Sequence, residues 1–242
     1  NLIDDLNSIS VTNLINKSIE NIPTLIKNNN NVIPVKLDTE SILNVQFGND
    51  DGALFNDYLN KYRSIRSIKA SDINTNNLNS LLADHKLLLV SFHMKSDTPW
   101  ENMNKKFSLK EQDILKTIDK HNNKILASFT NPYALSQINL KSYNSVVVGF
   151  QNNHEFQKII AQQIFGAKEI KGILPVSIND TFKEGAGIIL KNLNILSYSD
   201  PEMAGVDRKK LNKIDSLINF AIENKMTPGA QILVAKNSKI IY

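Results

Sequence analysis

Four short apolar runs recur along the chain, separated by stretches with helical spacing. They are residues 42–47, 87–92, 124–129 and the β-branched run Val146-Val147-Val148. The β-branched run is too uniformly apolar for a strand with one wet face, so it reads as a strand covered on both sides, as in a parallel sheet. Between them, apolar residues repeat at three- and four-residue spacing: Leu54, Phe55, Tyr58 and Leu59, then Phe156, Ile159, Ile160 and Ile164. Each set gives one stripe on a helix. Ser108 with Glu111 three positions on has the form of a capping box opening a helix over residues 109–121. Asn153 is a helix N-cap candidate. Shorter patterns predict a strand over residues 64–68 and helices over 77–84 and 133–138. Strands alternating with helices imply an α/β fold, a mainly parallel sheet sandwiched by helices.

Residues 145–178 organise this arrangement as strand, helix stopped at Gly166, turn at Gly172, and a short strand at Ile173-Leu174-Pro175-Val176. At the other end, Leu14, Ile15, Ile19, Ile22, Leu25 and Ile26 form a helical stripe over residues 1–28, and Pro23 should kink or divide it. The character changes after Ile178. Residues 182–188 are glycine-rich, and residues 190–201 read as a linker. Asp207 then caps a helix carrying Leu211, Ile214, Leu217, Ile218, Ala221 and Ile222. Residues 231–236 and 239–242 predict a hairpin turning at Asn237-Ser238. The division expected is a sandwich domain over residues 1–198, then a linker, helix and hairpin over residues 199–242. The chain opens on Asn1 rather than Met and closes on Ile240-Ile241-Tyr242 within a strand pattern, so a piece of a longer protein is expected.

The 242 residues are enough for one sizeable core. The net charge of +4 is spread without a long basic run, which favours a solvated surface over a nucleic-acid site. Cysteine is absent, which removes disulfides and thiolate metal sites. No apolar run approaches the ~18 residues of a membrane-spanning helix.

In such sheets, ligands bind at loops on the carboxyl ends of the strands. Those loops begin here at Gly48, His93, Thr130 and Gln151. None of the four histidines pairs with another, or with a carboxylate, at metal-ligand spacing. His93 alone ends a buried strand at a ligand-facing loop. Residues 93–106 hold Asp97, Trp100 and Glu101, and an aromatic beside carboxylates suits a sugar, through ring stacking and hydroxyl acceptance. The same residues also suit a solvated loop with Trp100 packed on the sheet. Gly48-Asn49-Asp50-Asp51-Gly52 lacks the Lys-Ser/Thr of a phosphate loop. There is no G-x-S-x-G and no S-x-x-K, so no nucleophile is evident.

Several segments in order resemble the second, α/β-sandwich domain of family 3 glycoside hydrolases, of the β-N-acetylhexosaminidase type. They are SIENIPTLIKNNNNVIPV over residues 18–35, the strand and Gly-x-x-Asp loop of residues 42–51, TNPYAL at 130–135, IFGAKEIKGILPVSI up to Ile178, and residues 182–188. The resemblance spans residues 13–198. Residues 201–242 resemble the opening helix and hairpin of a β-lactamase-like serine hydrolase. Fusion of the two is a bacterial arrangement typical of exported proteins, which implies a periplasmic, extracellular or cell-envelope location.

The resemblance implies that the intact protein hydrolyses a terminal β-linked N-acetylhexosamine with retention, through a covalent intermediate. It also implies that the nucleophile and the acid/base belong to a preceding barrel. This segment would be a non-catalytic domain that packs on that barrel and on the β-lactamase-like unit. The N-acetylhexosaminide would reach it only through the barrel, with His93, Asp97 and Trp100 as substrate-binding candidates. In the β-glucosidase branch a sandwich-domain Glu acts as acid. Glu101, six residues before Phe107-Ser108-Leu109, is the candidate here, although Asn104-Lys105-Lys106 replaces the family's adjacent Gly-Asp or Asp-Arg. No cofactor, metal, nucleic acid or membrane span is implied. The competing reading is a free-standing carbohydrate- or partner-binding module.

Overall fold

A computed structural model describes residues 2–6, 8–94 and 107–242. The chain divides into two compact units, Ser18–Leu193 and a second one made of Asn1–Lys17 with Asn194–Tyr242.

The larger unit is built on a six-stranded sheet. Its strands are β1 (Thr24–Asn28), β2 (Ile42–Phe47), β3 (Arg66–Lys69), β4 (Leu87–His93), β5 (Lys124–Phe129) and β6 (Ser145–Val148), in the order β1-β6-β5-β4-β2-β3. All neighbours are parallel except β1 with β6, which are antiparallel. Helices α3 (Ala53–Asn60), α4 (Leu78–Ala83) and α5 (Leu109–Ile118) connect β2 to β3, β3 to β4 and β4 to β5, and α6 (His154–Ile164) follows β6.

Side-chain alternation divides the core into two layers. Leu43, Val45, Phe47, Leu88, Val90, Phe92, Leu126, Val146 and Val148 join Ile114 and Ile118 of α5 in one cluster. Ile42, Leu87, Leu89, Ile125, Ala127, Phe129 and Val147 join Phe55 and Leu59 of α3 and Phe156, Ile160 and Ile164 of α6 in the other. Both layers cover the central strands, which is why β2, β4, β5 and β6 are buried along their whole length. The α/β sandwich expected from the pattern is therefore the fold observed.

Three expectations are corrected. The stripe expected as one divided helix becomes two helices, α1 (Leu2–Leu6) and α2 (Ile9–Ile19), and then a strand. Pro23 ends the helical run outright. Leu25 and Ile26 then face opposite layers of the sheet, Leu25 in one cluster and Ile26 in the other. Spacing over so short a run fits either period, and pairing with β6 decides between them. Residues 173–176 form no strand; only Ile170 and Leu190 bridge. Instead, this irregular segment covers the outer edge of β1, with the Ile188 amide donating to the Leu25 carbonyl at 2.7 Å. Gly172 permits the approach, since a Cβ there would sit 2.3 Å from the Ile22 carbonyl oxygen. Thirdly, the supposed linker after Leu190 contributes a strand, described next.

The smaller unit contains β7 (Ser197–Tyr198), α7 (Arg208–Glu223), β8 (Ala235–Lys236) and β9 (Lys239–Ile240). β8 and β9 form the expected hairpin, with Asn237 and Ser238 both at positive φ, and β7 adds in parallel to β9. Asp207 caps α7 as expected, accepting from the Lys209 amide at 2.9 Å. Ala204, Leu211 and Ile241 form its small core.

Candidate functional site

The carboxyl ends of β2, β4, β5 and β6 lie side by side. Residues 48–52, which leave β2, are held down by side chains from other elements. Asn152, in the turn before α6, donates from Nδ2 to Asp50 Oδ2 and to the Asp51 carbonyl, both at 3.0 Å. Gln157 of α6 donates from Nε2 to the Asp51 carbonyl and to Asn152 Oδ1, both at 2.8 Å, while its Oε1 accepts from the Phe55 amide. Within the loop, Asp51 Oδ1 accepts from the Ala53 amide at the start of α3, and Asp50 Oδ1 from the Asp51 amide.

His93 lies beneath this loop and is 1% exposed. Its ring stacks on Phe129 (centroids 4.6 Å apart, 13° between planes) and tilts against Phe55 at 5.7 Å. Its Nδ1 lies 3.0 Å from Asn152 Oδ1. The tautomer follows from the partners. Asn152 Nδ2 faces two obligate acceptors, so Oδ1 faces His93, and Nδ1 must carry the proton. Nε2 is then a bare acceptor, buried and without a hydrogen-bond partner among the described residues. Burial pulls the imidazole pKa down from 6.5 to about 4, against the opposing pull of Asn152, Asp50 and Asp51. The ring is neutral at pH 7.

The backbone at His93 is engaged as well. Its carbonyl accepts from the Asp50 amide at 3.1 Å. Gly48 crosses so closely, at φ +104°, that a Cβ would lie 2.0 Å from that carbonyl oxygen. Only glycine meets both conditions. Above this floor lies an open pocket of about 540 Å³ whose lining includes Gln46, Gly48, Asp50, Asp51, Lys69 and Ser71. Two carboxylates, an ammonium, a hydroxyl and an amide make it a polar site suited to a hydroxyl-rich ligand.

Of the residues proposed from sequence, His93 is located as described, on the sheet face shared with α3 and α6. Asp97, Trp100 and Glu101 lie outside the described residues. Among the described residues, no group of three or more His, Asp or Glu side chains could hold a metal ion. No helix there is long and apolar enough to cross a membrane. Sequence reasoning missed Asn152, Gln157 and Gln46. The available signal was Gln157, a polar residue beside Phe156 on a helix that buries eight of its residues. Gln46 carried a weaker signal, as a polar interruption of an apolar strand.

No family model matches the sequence, and no curated protein matches it. Solved structures do. A β-glucoside phosphorylase, BglX, superposes with a TM-score of 0.56 at 17% identity, over 72% of this chain and 33% of that one. A fungal multi-domain GH3 β-N-acetylglucosaminidase gives 0.56 at 16% identity, over 74% of this chain and 20% of that one. A glycoside hydrolase family 3 β-N-acetylglucosaminidase from Paenibacillus sp. str. FPU-7 gives 0.53 at 14% identity, over 72% and 34%. The chain thus spans about a third or less of the length of these structures. At such identities the shared property is the fold: a mostly parallel α/β sandwich of the kind found in family 3 glycosidases.

Proposed function

We propose that this chain is the α/β-sandwich segment of a carbohydrate-active hydrolase related to family 3, of the β-N-acetylhexosaminidase type. In this reading bond cleavage belongs to a barrel outside residues 1–242. The sandwich packs on that barrel and offers its strand-end loops as one wall of a sugar pocket. Residues 201–242 open a β-lactamase-like unit, and the whole is an exported bacterial protein.

One observation carries the reading: the motifs that resemble the family fall, in order, at the structural turning points of a fold shared with family 3 enzymes. Asn131-Pro132-Tyr133 opens the turn after β5, with Asn131 Oδ1 accepting from the Tyr133 amide at 3.0 Å. Phe165-Gly166 terminates α6. Gly172 and the buried Leu174 and Ile178 belong to the segment that covers the β1 edge. The polar pocket over residues 48–52 supports a hydroxyl-rich ligand.

The test is hydrolysis of 4-nitrophenyl N-acetyl-β-glucosaminide by the complete gene product and, separately, by residues 1–242. The expected result is turnover by the complete product and none by the shorter chain. Turnover by neither, with direct binding of N-acetylglucosamine to residues 1–242, would replace the hydrolase reading with a carbohydrate-binding module.

A further inference from the structure

Proteins rarely bury an imidazole nitrogen without a partner, because an unsatisfied polar atom costs about 1–3 kcal/mol. His93 Nε2 is such an atom, at 1% residue exposure, under a loop held by Asn152, the partner of that ring's other nitrogen. The surroundings explain why the neutral ring is tolerated. A Cβ added at Gly52 would lie 2.6 Å from His93 Nε2 and 2.8 Å from Gln46 Nε2, so loop backbone and a side-chain amide both crowd the bare nitrogen. Gln46 Nε2 turns to the Gly52 carbonyl, 3.5 Å away.

We propose that His93 is a proton-operated latch: neutral, it orders residues 48–52 through Asn152, and protonated at Nε2, it releases them. A proton there creates a second donor where no acceptor lies within reach among the described residues. The ring must then move toward water, and that movement breaks the Nδ1–Asn152 bond; Asn152 is the side chain that holds Asp50 and Asp51. Among the described residues, the titratable groups facing the ring are Asp50 and Asp51 of the loop itself. The other elements packed around it contribute Gln46, Phe55, Phe129, Asn152 and Gln157, none of which titrates. Burial keeps the proton off until the medium is well below neutral, so the pocket wall is ordered near neutrality and loosens in acid. That the loosened pocket is ligand-facing rests on the carbohydrate reading above; the latch itself does not.

The experiment is hydrogen–deuterium exchange of the 242-residue chain between pH 7 and pH 4, corrected for intrinsic rates. Peptides covering residues 48–52 are expected to exchange at least about tenfold faster at pH 4, while those in β5 and β6 stay protected. A His93→Gln variant retains a donor toward Asn152 but cannot titrate, and its loop should show no such acceleration. Equal acceleration in this variant would assign the effect to Asp50 or Asp51 and overturn the latch. Should the variant fail to fold, imidazole NMR on the unaltered chain decides. A midpoint near 4, shared with loop resonances, supports the proposal, whereas a midpoint near 6.5, or loop signals that ignore the ring, overturns it. No sugar is present in either measurement, so the latch and the hydrolase reading stand or fall separately.

Discussion

Asn152 carries the heaviest polar load at the strand ends. It donates to Asp50 and the Asp51 carbonyl, and it accepts from His93 and Gln157. Truncation to Ala would strand His93 Nδ1 and one Gln157 hydrogen in a buried site, where an unmet polar group costs about 1–3 kcal/mol. Asn152→Ala is therefore expected to lower the urea-unfolding free energy by roughly 2 kcal/mol. A loss below about 0.5 kcal/mol would show that water replaces the side chain. His93 gives a pH dependence of definite sign. Its folded pKa, about 4, lies below the unfolded value of 6.5, so the unfolded chain binds more protons between those limits. The stabilisation is complete above pH 6.5 and is lost as pH falls toward 4, by roughly 3 kcal/mol. Urea titrations at pH 7, 5.5 and 4 should show that slope, and His93→Gln should flatten it. Sequence placed His93 at a strand end but could not assign its partners. Asn152, Gln157 and Gly52 join it from distant parts of the chain.

Among the elements, α5 was the most legible. Ser108 and Glu111 form the complete capping box: the Glu111 amide donates to Ser108 Oγ at 3.2 Å, and the Ser108 amide donates to Glu111 Oε2 at 2.9 Å. These are local contacts, so sequence spacing specifies them. Ser108→Ala is expected to cost about 1 kcal/mol, with no change in the slope of the urea transition. Strands β2 and β5 also begin and end where their apolar runs do. Residues 24–28 show the opposite case. Their apolar pair fits a helix as readily as a strand, and β6, more than a hundred positions away, supplies the pairing that settles the matter. Likewise Ile173-Leu174-Pro175-Val176 has strand composition, but its neighbours take another route. The Leu174 amide donates to the Ala186 carbonyl, and the Gly185 amide to the Leu174 carbonyl, which makes a compact cover and not a ladder.

At the scale of the molecule, both large core layers lie within the unit Ser18–Leu193. That unit owns its sheet, the helices on both faces and the cover over β1. Residues 18–193 made alone are expected to unfold in one cooperative urea transition, with near-UV dichroism matching that of the same residues in the full chain. A non-cooperative transition would mean that the sheet depends on residues outside the unit. Among the described residues the smaller unit has a core of three buried apolar residues, and it is the expected site of first unfolding.

The sequence by itself determined what depends on near neighbours and on periodicity. That includes the doubly covered strands, the apolar stripes of α3 and α6, the caps of α5, α6 and α7, the hairpin turn at Asn237-Ser238, and from these the α/β sandwich. Tertiary structure alone decided which strand borders which, the antiparallel entry of β1, the addition of β7 to the hairpin and the route of residues 171–189. It also decided the candidate site. Gln46, Asp50, His93, Asn152 and Gln157 come from separate parts of the chain and meet only where parallel strands end together. Hydrogen bonds across such distances leave no periodic trace in sequence, because each residue's role is set by partners the fold brings to it.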